Sequence, residues 1–276
     1  MLVYKMYVLQ LDFTGFLLNY FDKYLTSFYF YFVILLMPFN WGLETLKWSF
    51  ISGLTFSEAL KGVLKGLSLS MLMPAEVADS VGRSSDDKTL IVKTIWSGMM
   101  QNCITFGFAV LAIFHFQSQN DNFDWWLNLL TYSAFVLSLI GILCFHFPKL
   151  IFIQKWRQII VINNFDNLQV TKVVAVGLLR YFVFLFQYYL LIRFFYLGES
   201  NLDLFSAVAV TFSVKTMIPA LNFLSEIGVR EFSALYVFQN LKLQVQPVIA
   251  ASAVLWFINI FPLVIVGLKH WLKWKK

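Results

Sequence analysis

Residues 213–232, SVKTMIPALNFLSEIGVREF, place charged side chains and a proline between long apolar segments. Pro219 has no backbone N–H, so it interrupts an apolar helix and frees a carbonyl oxygen. In lipid, such polar groups must be satisfied by protein or by a water-filled cavity. Charged side chains at membrane depth usually face the interior of a helix bundle. The stretch therefore predicts a polar site buried inside a helical membrane protein.

The composition of the whole chain supports this class. Of its 276 residues, 59% are hydrophobic and only 13% are charged, and the mean hydropathy is +0.72. Soluble domains carry about 25% charged residues. No segment is polar and long enough to form a separate soluble domain, so we predict one all-α integral membrane domain over residues 1–276. Cys103 and Cys144 lie in apolar runs and are interpreted as small buried residues that form no disulfide.

Five segments are long enough to cross a hydrocarbon core of about 30 Å: 28–50, 89–116, 125–145, 173–196 and 247–268. Two shorter apolar segments, 57–73 and 204–218, each stop at a proline, Pro74 or Pro219. Each is followed by a polar stretch and another short helical segment. Residues 1–18 are ambiguous, because charged residues interrupt their apolar pattern.

The distribution of Lys and Arg predicts the orientation of these segments, because cytoplasmic loops are enriched in both. Basic residues favour a cytoplasmic location for 83–93, 147–172 and the C-terminal tail. In 117–124 and 197–203 the charged residues are all acidic, so these connections are predicted to be external. Lys47 is interpreted as the cytoplasmic end of the first span, and 149–165 as an amphipathic helix on the inner leaflet. Segment 57–73 then enters from the cytoplasm and 204–218 from outside. Two broken, re-entrant hairpins that enter from opposite faces are typical of an inverted repeat with a binding site near the midplane.

The predicted substrate-binding residues are the charged side chains near the two breaks and one arginine within a span: Lys215, Glu226, Arg230, Glu231, Asp79, Arg83 and Arg180. The predicted structural breaks are Pro74, Pro219 and Gly228, with Glu226 placed in the turn and the returning helix beginning at Arg230. Arg and Lys make strong charge-assisted contacts to phosphate in a site of low dielectric constant.

Other interpretations of the same charges stay open at this point. The charged residues could mark loop ends at the membrane surface, above all Arg83, which borders a polar stretch. Arg230 could pair internally with Glu226 and need no ligand. Arg180 could extend toward the cytoplasmic surface. The mid-span amides Gln101, Asn102, Gln187 and Asn259 often only hydrogen-bond neighbouring helices.

Two motifs resemble those of the flippase-like family, the transmembrane region of lysylphosphatidylglycerol synthases. In PAEVADSVGR, Pro74, the pair Ala78-Asp79 and Arg83 match a motif of the form Pro, Gly-Glu, Arg. In PALNFLSEIGVRE, Pro219 and the run 228–231 match a motif that ends in Gly-Val-Arg-Glu. Trp48 also stands where the family has a tryptophan, and the resemblance covers residues 28–270.

This chain departs from the family pattern at several positions. Ala78-Asp79 replaces Gly-Glu, Glu76 stands where a basic residue is common, and Ser225-Glu226 replaces the usual glycines. No aminoacyl-transfer domain follows Lys276, so we expect the synthase activity of larger relatives to be absent.

The resemblance and the buried charges together predict a lipid translocase in the plasma (cytoplasmic) membrane with a cytoplasmic C-terminus. Its partners would be anionic phospholipids or lipid-linked precursors, and no cofactor, metal or nucleic acid is expected. The alternative is a non-transporting membrane subunit that docks a lipid-modifying or envelope-synthesis enzyme. An intramembrane enzyme that uses Glu76, Asp79 or Glu231 is the weakest reading, because common catalytic motifs and nucleotide-binding loops are missing.

Overall fold

The computed structural model describes residues 27–84, 87–119, 125–146, 166–193, 199–218, 223–243 and 245–274. Across these ranges the chain is helical, with no strand. We number the helices in chain order: α1 Phe28–Ser52, α2 Phe56–Leu69, α3 Ala75–Ser84, α4 Lys88–Gln119, α5 Trp125–His146, α6 Asn167–Arg193, α7 Asn201–Met217, α8 Phe223–Asn240, α9 Val245–Asn259 and α10 Phe261–Trp274. Residues 1–18, the amphipathic segment 149–165 and Pro219 lie outside the described residues.

Four helical segments are long and apolar enough to cross a membrane: Thr89–Ser118, Trp125–Leu143, Asn167–Arg193 and Val245–Leu268. They fall on α4, α5, α6 and the α9–α10 pair, and they confirm the predicted membrane class. Helix α1 has 25 residues, which gives a length of about 37 Å. It is not among these four, so the predicted span 28–50 is not confirmed, and its buried face carries two charged side chains, Glu44 and Lys47.

The last span is broken near its middle. Helix α9 ends at Asn259 and α10 begins at Phe261, one residue before Pro262, which cannot donate to the helical ladder. The indole nitrogen of Trp41 donates to the carbonyl oxygen of Asn259 at 2.7 Å, and the amide nitrogen of Asn40 donates to the Asn259 side-chain oxygen at 3.2 Å. Helix α1 therefore hydrogen-bonds both the backbone and the side chain of Asn259, beside the break.

Helices α2 and α3 form a short antiparallel pair on either side of Pro74. With 14 and 10 residues, they are about 21 and 15 Å long, too short to span a membrane. A Cβ atom on Gly82 would overlap the backbone of Gly66, and one on Gly62 would lie 3.5 Å from the Cα of Arg83. Small residues allow the two backbones to touch. This close packing fixes the position of the charged face of α3.

Helices α7 and α8 form the second pair, and here the structure corrects the predicted boundaries. Helix α8 begins at Phe223, so Glu226 lies in its first turn and not in a preceding loop. Gly228 lies inside the helix, so the prediction of a break at this residue is wrong. A single glycine costs a helix only about 1 kcal/mol, and the surrounding apolar residues are enough to continue the helix through it.

Candidate functional site

A cavity of about 350 Å³ lies where the two short helix pairs meet the longer helices. Its charged lining comes from α1, α3, α6, α7 and α8, and comprises Glu44, Lys47, Asp79, Arg83, Arg180, Lys215, Glu226 and Arg230. Six of the seven predicted site residues therefore line one cavity: Asp79, Arg83, Arg180, Lys215, Glu226 and Arg230. Residues as far apart in the sequence as Glu44 and Arg230 line the same small volume.

The first charged group, which we name the Glu44 cluster, consists of Glu44, Lys47, Asp79, Arg83 and Arg180. The Glu44 carboxylate lies 2.8 Å from Lys47 Nζ, 2.9 Å from Arg83 Nη2 and 3.1 Å from Arg180 Nη1. Arg83 Nη2 also pairs with Asp79 at 2.9 Å. Two carboxylates thus face three cations, in a setting where Glu44, Lys47 and Arg83 are buried.

Two members of this cluster, Glu44 and Lys47, were not among the predicted site residues. Lys47 was interpreted as the cytoplasmic end of the first span, but it is buried on α1 and lies 3.4 Å from the side-chain oxygen of Gln101. That interpretation is wrong, because Lys47 is neutralised by Glu44 inside the bundle. The signal in the sequence was an acidic and a basic residue three apart within an otherwise apolar helix, which at membrane depth indicates a functional site.

The structure also decides between the alternatives for Arg83 and Arg180. Arg83 is only 5% exposed and its guanidinium lies over the ring of Trp48, with 5.4 Å to the ring centroid, so the surface interpretation is wrong for this residue. Arg180 reaches Glu44, and its guanidinium lies 5.9 Å from the centroid of Trp41. It therefore points into the cavity.

The second charged group, which we name the Glu226 cluster, consists of Lys215, Glu226 and Arg230. A single oxygen, Glu226 Oε1, lies 3.3 Å from Lys215 Nζ and 3.2 Å from Arg230 Nη2. Arg230 is 7% exposed, yet its Nε and Nη1 atoms have no hydrogen-bond partner in the described part of the chain. Internal pairing with Glu226 is therefore present but uses only one of the three guanidinium nitrogens.

Glu231 differs from the other predicted residues. It is buried at 7% exposure but does not line the cavity. Successive helical residues point about 100° apart, so Arg230 faces the cavity while its neighbour faces another part of the bundle. Direct contact of Glu231 with a ligand in this cavity is not supported.

Helix α4 contributes a polar face to the cavity: Thr94, Ser97, Gln101, Asn102 and Thr105. Four of them recur every three or four residues and Asn102 follows Gln101, so the five lie along one side of the helix. Asn259 also lines the cavity. Gln187 does not, because its amide nitrogen donates to the Val33 carbonyl at 2.9 Å in a buried contact between α6 and α1.

A second, apolar groove of about 570 Å³ runs between α4, α6 and α7. Phe108 lines this groove, whereas Tyr181 lines the charged cavity. The two rings stack with their centroids 4.8 Å apart. The polar cavity and the apolar groove thus adjoin at this pair of aromatic rings.

No family model, curated protein or solved structure matches this chain. Within the described ranges, no group of three or more His, Cys, Asp and Glu side chains is placed to hold a metal ion.

Proposed function

We propose that the protein is a lipid translocase that binds the anionic head group of a membrane lipid in the charged cavity. The observation that carries this proposal is the excess of positive charge in the cavity, where Lys47, Arg83 and Arg230 are buried. Five cations and three carboxylates line the cavity in the described residues. Buried charge is costly unless it is paired, so an anionic ligand that completes the pairing is favoured at this site.

The apolar groove favours a lipid over a small soluble anion. A soluble anion needs only the polar cavity, whereas a lipid also needs an apolar surface for its acyl chains. The groove adjoins the cavity at Phe108 and Tyr181, and its remaining lining is mostly aromatic and aliphatic. A lipid that places its head group in the cavity and its acyl chains along the groove keeps the charged part in polar surroundings and the chains in apolar ones.

The proposal extends to topology and family. We place α2–α3 and α7–α8 as re-entrant hairpins from opposite faces of the plasma membrane, related by an inverted repeat, with a cytoplasmic C-terminus. The packing pattern supports a two-fold relation: α4, which follows the first pair, packs on α7, and α10, near the chain end, packs on α2. Together with the motifs around Arg83 and Arg230, this arrangement favours membership of the flippase-like family.

Transport is tested by reconstituting the full chain into vesicles with fluorescent anionic lipid and measuring its accessibility to a membrane-impermeant quencher. We expect wild-type protein to equilibrate the label between leaflets, and Arg230→Ala to reduce the rate by at least about 100-fold, a loss of ~2.7 kcal/mol of transition-state binding. The matched control is Arg193→Ala. Arg193 lies on α6 outside the cavity and donates to the Glu199 carbonyl, so its removal leaves the rate unchanged.

A double variant separates ligand binding from internal pairing. If Arg230 only neutralises Glu226, Arg230→Ala with Glu226→Ala regains wild-type transport. If Arg230 binds the lipid phosphate, the double variant stays inactive. Wild-type transport by Arg230→Ala alone contradicts the proposal, and a folded wild-type protein that moves no lipid favours the non-transporting subunit.

The opposed orientation of the two pairs has its own test. Phe56 at the start of α2 and Leu202 at the start of α7 are both exposed. In a background without Cys103 and Cys144, we expect Phe56→Cys to react with an impermeant maleimide only from the cytoplasmic side, and Leu202→Cys only from outside. Labelling of both from the same side contradicts the inverted arrangement.

A further inference from the structure

The charges of the cavity define the charge of the ligand. Lys47, Arg83, Arg180, Lys215 and Arg230 contribute five positive charges, and Glu44, Asp79 and Glu226 contribute three negative ones. The described lining therefore has an excess of two positive charges. A ligand that neutralises this excess carries a charge close to −2.

The excess is divided between the two clusters. In the Glu44 cluster three cations face Glu44 and Asp79, which leaves one positive charge. In the Glu226 cluster two cations share one carboxylate oxygen, which also leaves one. An anion bound at the Glu226 cluster neutralises the excess positive charge of that cluster directly. It faces the excess positive charge of the Glu44 cluster across the same cavity.

Unused hydrogen-bond donors favour the Glu226 cluster as the anion site, because Arg230 has two such nitrogens in the described residues, whereas Arg83 and Arg180 of the Glu44 cluster have one each, Nε. Arg230 is more than nine-tenths buried and has two nitrogens without a partner in the described residues. Lys215 is one-third exposed and lies on the cavity wall. A guanidinium and an ammonium that already converge on one carboxylate oxygen form a binding geometry suited to a phosphate oxygen.

The charge on phosphate depends on how it is substituted. A diester phosphate carries one negative charge, whereas a monoester carries about −1.5 to −2 at pH 7 because its second pKa is near 6. A diester would leave one buried positive charge unpaired, and a zwitterionic head group would leave both. A terminal phosphate with two charges leaves none.

We propose that the cavity is specific for lipids whose head group ends in a doubly charged phosphate, a monoester or a diphosphate, bound by Arg230 and Lys215. This inference rests on the proposed lipid-binding function and specifies its substrate class. It predicts that phosphodiester lipids such as phosphatidylglycerol bind more weakly, although both are anionic.

The test measures binding of three lipids to the purified full chain in detergent by native mass spectrometry. The probes are phosphatidic acid as a monoester, phosphatidylglycerol as a diester and phosphatidylcholine as a zwitterion, all with the same acyl chains. At pH 8 we expect phosphatidic acid to bind at least tenfold more tightly than phosphatidylglycerol. At pH 5, where the monoester loses its second charge, we expect the ratio to fall below about threefold.

Variants connect this preference to the cavity. Lys215→Met leaves an excess of one positive charge, so the preference for the monoester over the diester at pH 8 should fall to below threefold. Lys61→Met is the matched control, because Lys61 is an exposed lysine outside the cavity and its removal should leave the preference intact. Thermal unfolding of each variant verifies folding, and the pH comparison on wild-type protein needs no variant.

The outcomes separate this inference from the proposed function. Equal binding of phosphatidic acid and phosphatidylglycerol at pH 8, both tighter than phosphatidylcholine, overturns the doubly charged class and leaves anionic lipid binding in place. Equal binding of all three lipids overturns both. Inorganic phosphate that displaces phosphatidic acid at equal concentration supports a doubly charged phosphate site but shows that its ligand is soluble.

Discussion

The two short helix pairs carry the same local motif and use it differently. In DSVGR, Asp79 precedes Arg83 by four residues, and in EIGVR, Glu226 precedes Arg230 by four. Both pairs form ion pairs along one face of a helix, at 2.9 and 3.2 Å. Arg83 has a second carboxylate partner, Glu44, and lies over Trp48. Among the described residues Arg230 forms an ion pair with Glu226, which it shares with Lys215, and it retains unused donors.

This difference shows that an identical spacing of charges does not define a role. Arg83 is neutralised within the protein, so it holds α3 against α1. Arg230 shares one carboxylate with Lys215 and has two unused nitrogens in the described residues, against one for Arg83, so it has more capacity left for a ligand. We therefore expect substitutions at the first motif to change mainly stability and substitutions at the second to change mainly function.

The largest expected effect on stability is at Arg83. Arg83→Ala removes a buried partner from both Glu44 and Asp79, and breaking a buried ion pair on one side costs about 3–5 kcal/mol. Arg230→Ala should cost only about 1 kcal/mol, because Lys215 still pairs with Glu226 and typical substitutions cost about this much. Thermal unfolding of both variants in the same detergent measures the difference, and an equal loss would show that the two arginines have the same structural role.

A smaller effect is expected at the glycine of the first motif. A Cβ atom on Gly82 would overlap the backbone of Gly66, and backbone atoms cannot rotate away as a side chain can. We expect Gly82→Ala to lower the free energy of unfolding by about 1–3 kcal/mol through overpacking. An unchanged melting temperature would contradict the close contact between α2 and α3.

The glycine of the second motif should respond in the opposite direction. Among the described residues, a Cβ atom on Gly228 has no neighbour within 4 Å, and alanine is favoured over glycine inside a helix by about 1 kcal/mol. We expect Gly228→Ala to raise stability by about 0.5–1 kcal/mol. Because Gly82→Ala is the same substitution in the corresponding motif, the pair forms its own control. A lower free energy of unfolding for Gly228→Ala would indicate that this position of α8 requires the conformational freedom or the small size of glycine.

The amino-acid sequence by itself determined the class of the protein and most helix positions. Long apolar runs separated by charged or prolyl residues define helices because backbone polar groups in lipid must be satisfied within each segment. The short helical segment that was predicted after Pro74 is α3. The start of α8 was predicted at Arg230 but lies at Phe223. A glycine such as Gly228 interrupts a helix only where the neighbouring residues do not continue it.

Only the tertiary structure decided which charges meet. Asp79, Arg83, Arg180, Lys215, Glu226 and Arg230 were selected from the sequence because charge at membrane depth is costly, and they line one cavity. Their neutralisation by Glu44, and the burial of Lys47 beside it, depends on the packing of α1 against α3 and α6. A charge pattern along the chain gives the spacing within one helix, whereas the net charge of a cavity is a sum over helices that only the fold brings together.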